Sequence, residues 1–239
     1  MTARDVTQLF HQASAGQRID FSNKDLSNLD LAGLDFKAAI MKGANLYGVD
    51  LTDANLAHAD LSRAKLDRAI VIRADFSGAN LSSATIMAPS VFSDATFDQR
   101  DVPKFAGAIL KSARIAARMD GADFRGADLT GARIGPDDPQ SESGMAPSFR
   151  MPGIDFTGAI LASADIRDVD FTFARLSGAD LSGAKLLRVN LTSADLSGAN
   201  LSGADLTGSN LDGANLAGIK GFDSVTGLET ILNLEKSKR

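Results

Sequence analysis

The sequence contains no cysteine and no tryptophan, and only one tyrosine and two histidines. Without cysteine there is no disulfide framework, no thiolate nucleophile and no cysteine-ligated zinc or iron–sulfur site. Long apolar runs are also missing, so no segment is a candidate membrane span. The first residues lack the apolar stretch of a secretory signal. We therefore expect a cytoplasmic protein that does not contact a membrane.

Glutamate is scarce, because only three of the 30 acidic residues are glutamate and the others are aspartate. Glutamate is a better helix former than aspartate, so this bias disfavours a mainly helical protein. The net charge of −5 is mildly acidic and gives no reason to expect direct binding of nucleic acid. The charge is also uneven: residues 1–60 carry −3, residues 61–134 carry +3 and residues 135–239 carry −5.

The abundant residues are alanine and leucine, with 37 and 27 copies, and they recur with a period of five. The consensus is Ala-Asp/Asn-Leu-Ser/Thr-Gly, and the same period runs from Leu26 to Ile86 in the N-terminal half. In the C-terminal half the large apolar residues are Phe156, Leu161, Ile166, Phe171, Leu176, Leu181, Leu186, Leu191, Leu196, Leu201, Leu206, Leu211 and Leu216.

A period of five fits neither a strand, with a period of two, nor a helix, with a period of 3.6. It suits a chain that turns a corner every five residues, with the large and the small apolar residue pointing inward. The sequence resembles the pentapeptide repeat family over about four-fifths of its length. The resemblance implies an all-β solenoid, a right-handed quadrilateral β-helix with four pentapeptides in each coil.

The aspartate positions support a coil of four pentapeptides independently of the resemblance. Residues one such coil apart would stack at about 4.8 Å, a distance at which like charges repel. Asp180 is followed one coil later by Asn200, and only Asp30 and Asp50 break the alternation. Arg175 and Lys185 would each lie between two such aspartates. We therefore interpret the bases at these positions as residues of the stacked columns rather than as ligand-binding cations. They are Lys65, Arg175 and Lys185.

Both ends carry helix-start signals, which predicts a helix over residues 1–17 and another over 222–239. Thr2 with Asp5, and Thr226 with Glu229, have the spacing of a capping box. Either helix would cover an open end of the solenoid. The C-terminal helix could instead hold two copies of the chain together as a homodimer. The residues for either role are Leu228, Ile231 and Leu232.

Between the ends, the pattern predicts repeats over 18–134, irregular from residue 87, and again over 154–221. Residues 135–153 carry four prolines and three glycines without any repeat, which predicts an inserted loop. Its bulky and basic residues are candidate partner contacts, although the apolar ones could also pack against the solenoid. The candidates there are Met145, Phe149, Arg150 and Met151. A second set lies in the irregular region and could cluster on an anionic partner: Arg114, Arg118 and Arg125.

No combination of residues suggests catalysis, a cofactor or a metal. His11 and His58 are far apart in the sequence, and nothing indicates a nucleophile or an acid that converges on either. We therefore expect a non-enzymatic protein-binding scaffold whose partner the sequence does not identify. The alternative, which the resemblance supplies, is a DNA mimic that binds DNA gyrase or another topoisomerase and protects it from quinolones or toxins. The basic band in the middle of the chain argues against continuous acidity along such a mimic.

Overall fold

The chain winds into stacked coils that are joined by parallel β-bridges. The computed structural model describes residues 1–14, 17–93, 98–136 and 149–238. Successive bridges along the chain begin five residues apart, as in Asp20 with Ile40 and Asp25 with Asn45. Each of these bridges joins residues that are four pentapeptides apart. The predicted coil length is therefore confirmed, and each regular coil has four bridge positions.

Each bridge consists of two backbone hydrogen bonds of opposite direction. The Leu46 N–H donates to the Lys65 carbonyl oxygen at 2.8 Å, and the Lys65 N–H donates to the Ala44 carbonyl oxygen at 3.0 Å. Within the turn, the Val49 N–H donates to the Leu46 carbonyl oxygen at 3.3 Å. The five-residue unit therefore satisfies most of its backbone polar groups by contacts with the next coil, as a chain without long helices or strands requires.

The bridges form four columns along the solenoid, and we number them by their first residue. Columns 1, 2, 3 and 4 begin at Asp20, Asp25, Asp30 and Asp35. In column 3 no bridge is present between Ser90 and Arg150 within the described residues. Column 2 continues through Asn45, Lys65, Thr85, Arg114, Arg133, Asp165, Lys185, Asp205 and Thr226.

The interior is one continuous apolar cluster built from the two inward positions of the repeat. The large position holds mostly leucine and the small one mostly alanine, and both are buried throughout the regular coils, as in Leu56 and Ala59. Alanine predominates at the small position, although this position also holds buried valine and isoleucine, as at Val49 and Ile154. The core thus lies along the whole axis rather than at one centre.

The aspartate and asparagine side chains stabilise the corners as well as the columns. The Asp50 carboxylate accepts a hydrogen bond from the Thr52 N–H at 2.8 Å, an Asx turn that glutamate is too long to make. Between coils, the Asn200 amide donates to the Asp180 carboxylate at 3.0 Å. The alternation of aspartate with asparagine therefore supplies donors where two carboxylates would repel. The predicted exception is also present, because Asp30 and Asp50 are bridged neighbours, and the structure adds a second such pair, Asp123 and Asp155.

Two coils in the middle of the solenoid contain insertions, and the coil between them is one residue shorter than the regular coil. The bridge from Asp75 reaches Lys104, nine residues later than in a regular coil, and the bridge from Asp123 reaches Asp155, twelve residues later. Between them the bridge from Lys104 reaches Asp123, one residue earlier than in a regular coil. We call the extra residues within 91–103 and 137–148 the first and second insertions. The irregularity predicted from residue 87 is thus an insertion followed by a short coil.

A stack of phenylalanine rings carries the register across both insertions. Phe76 and Phe105 stack with ring centroids 4.9 Å apart, and Phe105 and Phe124 with centroids 4.6 Å apart. Phe124 continues to Phe156 at 5.3 Å. All four rings are buried. Large aromatic contacts thus hold together the coils whose connections are longest.

Strands of two or three residues occur only in column 2 among the described residues. They form one parallel sheet in the order β1-β2-β3-β4-β5, with Ile86, Ile115, Ile134, Ile166 and Leu186 pointing inward. The strands are β1 (Thr85–Met87), β2 (Arg114–Ala116), β3 (Arg133–Ile134), β4 (Asp165–Arg167) and β5 (Lys185–Leu187).

The N-terminal helix, α1 (Ala3–Gln12), begins at the predicted capping box. Thr2 accepts from the Asp5 N–H, and the Asp5 carboxylate accepts from the Thr2 N–H. Its Phe10 ring packs against the rings of Phe21 and Phe36 in the first coil, with centroids 6.2 and 5.2 Å apart. The helix therefore packs against the first coil through an aromatic contact.

The prediction of a C-terminal α-helix over 222–239 is wrong. Residues 222–238 form a further coil with three 3₁₀ turns, at Phe222–Ser224, Leu228–Thr230 and Leu234–Lys236. Its bridges fall at Lys220, Thr226, Leu232 and Lys238, six residues apart. Gly227, not Thr226, precedes the middle turn, with a φ of 77° that a side chain would strain. The capping-box pattern therefore coincides with a six-residue repeat whose bridges hold the segment extended.

A buried serine replaces alanine at one small inward position and supplies a turn contact. The Val189 N–H donates to the Ser209 hydroxyl at 3.0 Å, and that hydroxyl donates to the Leu186 carbonyl oxygen. Ser209 is fully buried. Its hydroxyl thus bridges the two backbone groups that bond directly to each other in other turns.

We predict that Ser209→Ala lowers the free energy of unfolding by about 1–3 kcal/mol, because it leaves a buried N–H and a buried carbonyl without partners. The loss occurs although alanine is the usual residue of this position. Urea denaturation followed by circular dichroism measures it. Ser182→Ala, at a half-exposed turn position, is the matched control and should change stability by less than about 0.5 kcal/mol. Equal stability of the two variants would contradict the role assigned to Ser209.

Candidate interaction surface

The residues predicted as contacts in the 135–153 loop have different positions. Met151 is buried as a large inward residue, and Arg150 bridges Asp170 in column 3, so the repeat resumes at residue 150 and the predicted loop boundary is wrong. Phe149 is partly buried against the core. Met145 lies outside the described residues. Of the four, Arg150 alone keeps an exposed polar group, at 3.7 Å from the Asp170 carboxylate.

The three arginines of the irregular region do not form one cluster, contrary to expectation. Arg114 lies in column 2, where it donates to the Gly135 carbonyl oxygen at 2.7 Å. Arg118 precedes the inward Met119 in column 3, and Arg125 lies in the turn after Asp123 of column 4. The coil that is one residue shorter still has its corners, although the sequence pattern is irregular there. The three arginines therefore lie at different columns.

The first insertion is anchored to the coils by a buried carboxylate. Asp101 accepts from the backbone N–H and the hydroxyl of Ser93, at 3.0 and 2.6 Å, and from Arg73 at 2.8 Å. Arg73 also donates to Asp53 on the preceding coil. The hydrogen bonds from Ser93, followed by the contact with Arg73, lower the pKa of Asp101. These contacts fix the two ends of the insertion to one another and to column 3.

A cleft of about 490 Å³ lies beside this insertion, along columns 3 and 4. Arg118 and Arg150 contribute the basic groups, and the Arg118 guanidinium lies 5.0 Å from the centre of the Phe92 ring. Arg118 also donates twice to one oxygen of Asp120, at 3.1 and 2.9 Å. The lining residues are Gln99, Arg118, Asp120, Gly121, Arg150, Pro152, Gly153 and Phe173.

Phe173 is the residue of this cleft that the sequence analysis missed. Its side chain is 65% exposed, the highest value among the large apolar residues of the described chain. It occupies a corner position with a φ of 59°, where the repeat usually has glycine or serine. A bulky apolar residue at an outward corner was the signal that could have identified it.

A second cleft of about 310 Å³ adjoins the first and shares Gln99, Gly121 and Gly153 with it. Here each base lies near a carboxylate: Arg125 donates to Asp123 at 2.7 Å, and Arg175 lies 3.5 Å from Asp155. The Arg125 contact lowers the pKa of Asp123. The expectation that Arg175 separates carboxylates is confirmed, because it bridges both Asp155 and Asp195.

The C-terminal candidates lie on the last coil rather than on one face of a helix. Ile231 packs against the core and is partly buried, whereas Leu232 is 55% exposed and Leu228 is 37% exposed. Leu232 bridges Asn210 in column 3. Two apolar side chains are therefore exposed on the coil at the C-terminal end of the solenoid.

Within the described residues, no three histidine, aspartate or glutamate side chains are placed to hold a metal ion together. Nor does that part of the chain contain a helix long and apolar enough to cross a membrane.

Comparison with known proteins gives the class of the fold. The model of the family described as pentapeptide repeats matches eight copies, over residues 44–83, 115–134, 153–188 and 184–220. These matches cover more than half of the chain. The protein belongs to the pentapeptide repeat family.

The solved structure of QnrB1 agrees with this assignment at the level of fold. QnrB1, a plasmid-mediated fluoroquinolone resistance protein, is 20% identical, with 87% of this chain and 92% of QnrB1 aligned at a TM-score of 0.52. HetL, a protein involved in heterocyst differentiation regulation from the cyanobacterium Nostoc sp. strain PCC 7120, is 25% identical over 100% of this chain and 94% of HetL, at a TM-score of 0.41. The comparison with curated proteins produced no match.

We predict that Asp101→Asn increases hydrogen–deuterium exchange at the Ser93 amide, because the neutral amide binds Ser93 and Arg73 less strongly than the carboxylate does. Asp98→Asn is the control, since its ion pair with Arg100 is exposed and does not involve Ser93. Unchanged protection of Ser93 in the Asp101 variant would show that the anchor is unimportant.

The same contact predicts a dependence on pH. Because the pKa of Asp101 is lowered in the folded protein, its contribution is complete above the ordinary aspartate pKa of about 3.9 and is lost as the pH falls below that value. The protection factor of the Ser93 amide, corrected for intrinsic exchange, should therefore fall below about pH 4 in the unaltered protein. Equal protection factors at about pH 3 and pH 6 would contradict this.

Proposed function

We propose that the protein is a non-enzymatic scaffold that binds a protein partner through the cleft beside the first insertion. The family resemblance supplies the remaining detail of the scaffold, a right-handed coil with four sides, and the four bridge columns support it. The expected place of action is the cytoplasm, as the sequence predicts. Regular coils present repeated, nearly equivalent surfaces, so a specific contact requires a place where the repetition is broken.

The exposed Phe173 beside Arg118 and Arg150 is the observation on which this proposal rests. Aromatic residues and arginine are the side chains that most often dominate binding energy at protein interfaces. Exposure of a phenylalanine ring to water is unfavourable. Its burial against a partner lowers the free energy by about 25 cal/mol per Å² of apolar area. The ion pairs around Phe173 provide charged groups for the polar rim that surrounds the apolar centre of a protein interface.

The surroundings of the cleft favour a preformed site over one that orders on binding. Gly121 and Gly153 are held by backbone hydrogen bonds to the next coil, at 2.9 and 2.8 Å. Phe92 and the buried Asp120 fix the Arg118 side chain from two directions. Holding the contact residues in place before binding reduces the entropy that the complex loses.

The alternative function, mimicry of DNA toward a type II topoisomerase, has some support from the column charges. Columns 1 and 4 together carry nine aspartates and four bases at their bridge positions. Two columns of the solenoid are thus acidic along most of their length, although the chain as a whole alternates in charge. If the protein mimics DNA, the acidic columns 1 and 4, rather than Phe173, form the contact with the topoisomerase.

We predict that Phe173→Ala weakens binding of the captured partner about tenfold or more, whereas Tyr47→Ala, which removes another exposed aromatic ring, leaves it unchanged. Affinity capture from a cell lysate identifies the partner, and titration of the purified pair measures the dissociation constants. Equal affinities for both variants would rule out the cleft. A captured topoisomerase that binds both variants equally, and more weakly in salt, would favour mimicry instead.

We also propose that two copies of the chain associate through the last coil. The described part of this coil bridges only the coil before it, as in Lys238 with Asn215. An open sheet edge with exposed Leu228 and Leu232 is a surface that natural proteins normally cover. We therefore still propose a homodimer, and we place its contact on the last coil instead of on a helix.

We expect sedimentation velocity to give twice the chain mass of 25.0 kDa, and Leu232→Lys to return the protein to a monomer by placing like charges at the contact. Ile109→Lys is the control, because Ile109 is a 40% exposed residue in column 1, away from this end. A monomeric unaltered protein, or a dimeric Leu232→Lys variant, would disprove this arrangement.

A further inference from the structure

The sheet β1–β5 presents a basic outer surface on a protein that is acidic overall. In a strand, residues at i and i+2 lie on the same side, so the first and third residue of each strand face outward when the second is buried. The burial of β1 and β5 follows this pattern. We define the basic sheet face as these outward residues together with Lys65 and Asp67, which precede β1 by one coil.

The charge of the basic sheet face is opposite to that of the chain. Its five bases and two carboxylates give +3, whereas the whole chain has −5. The remaining outward residues include Met87 and Leu187, both half-buried, and the buried Ala116. The charged residues are Lys65, Arg114, Arg133, Arg167, Lys185, Asp67 and Asp165.

Three bases of column 2 do not lie between two carboxylates, and they are Lys65, Arg114 and Arg133. Arg133 bridges Asp165 on one side but Arg114 on the other, so two arginines are stacked at about 4.8 Å, where like charges destabilise a sheet. Lys65 lies in a stacked column, as expected, but it bridges Asn45 and Thr85, neither of which is charged. The Lys65 and Arg133 side chains are exposed, and neither forms an ion pair within the part of the chain that the structure describes.

Lys185 differs from these three bases, because it lies between two carboxylates of column 2. It bridges Asp165 and Asp205, as expected. The pKa of Asp165 is lowered first by the hydrogen bond from Arg167, and the charge of Lys185 adds to this. The pKa of Asp205 is lowered first by Thr207, again with a contribution from Lys185. Lys65 and Arg133 are therefore the exposed bases of column 2 in this face that do not lie between two carboxylates.

We infer that the basic sheet face binds an acidic segment of a partner protein. Carboxylates of that segment would lie beside the exposed side chains of Arg133 and Lys65. Met87 and Leu187 provide apolar area for the neighbouring side chains of the segment. This inference rests on the proposed function in that the solenoid binds proteins, but it concerns a surface other than the Phe173 cleft.

A protein segment fits this surface better than a nucleic acid does. The basic sheet face is one column wide, and the columns on its two sides, 1 and 3, carry aspartate at several bridge positions. A duplex has a high charge density and would experience the field of those columns, whereas a short acidic peptide can contact column 2 alone. The apolar residues among the bases match mixed acidic and apolar side chains rather than a phosphate backbone.

The test measures binding of a fluorescein-labelled oligoglutamate peptide by fluorescence anisotropy. The variant is Lys65→Gln/Arg133→Gln, and the control is Lys37→Gln/Lys220→Gln, which removes the same charge from exposed positions outside column 2. We expect the first pair to weaken binding about threefold or more and the control pair to have no effect. Binding by the unaltered protein should weaken when the ionic strength rises from about 10 to about 150 mM, because the Debye length falls from about 30 to about 8 Å.

Three results would overturn the inference: no binding of the peptide at low salt, equal weakening in both double variants, or tighter binding of a short DNA duplex than of the peptide through the same two residues. Circular dichroism of the variants verifies that both remain folded. Since Phe173 lies outside this surface, capture of a partner that depends on Phe173 would survive any of these results. Failure here would therefore leave the proposed function intact.

Discussion

The backbone bridge between coils is the interaction on which the rest of the structure depends. A five-residue unit is too short to satisfy its own amides, so it must donate to and accept from the units one coil before and one coil after it. This requirement fixes the inward direction of one large and one small side chain in each unit. It also places the intervening aspartates and asparagines directly above one another. Core composition, charge alternation and corner geometry all follow from one repeated hydrogen-bond pattern.

The same pattern explains why candidate sites occur where the coils are irregular. Regular coils repeat nearly the same outward residues, and their charges alternate. The first insertion interrupts this repetition, and Asp101 and the phenylalanine stack restore the register beyond it. The cleft with Arg118, Arg150 and Phe173 arises at that interruption. The basic sheet face arises where three-residue strands expose a second outward row in column 2, which the ordinary coils lack.

The two ends of the solenoid differ in the structure that the chain forms on the terminal coil. At the N-terminus a helix with a capping box places Phe10 on the rings of the first coil. At the C-terminus the chain continues to bridge, with six residues in place of five, and ends with apolar side chains exposed. A local helix signal at Thr226 was present, but bridges to Asp205 and Asn210 outweighed it. Helical caps contribute about 1 kcal/mol, less than the several bridge hydrogen bonds that the coil makes.

The period of five determined the family, the coil length, the inward residues and most of the alternation of charge, because each depends on sequence separation alone. The tertiary structure decided what depends on how coils of unequal length stack. It placed Met151 in the core, assigned Arg114, Arg118 and Arg125 to different columns, and converted the C-terminal segment into a coil. It also stacked Arg114 on Arg133, which a constant coil length would have placed out of register by one position. Insertions and deletions change which residues become neighbours, and only the bridges between coils show that new register.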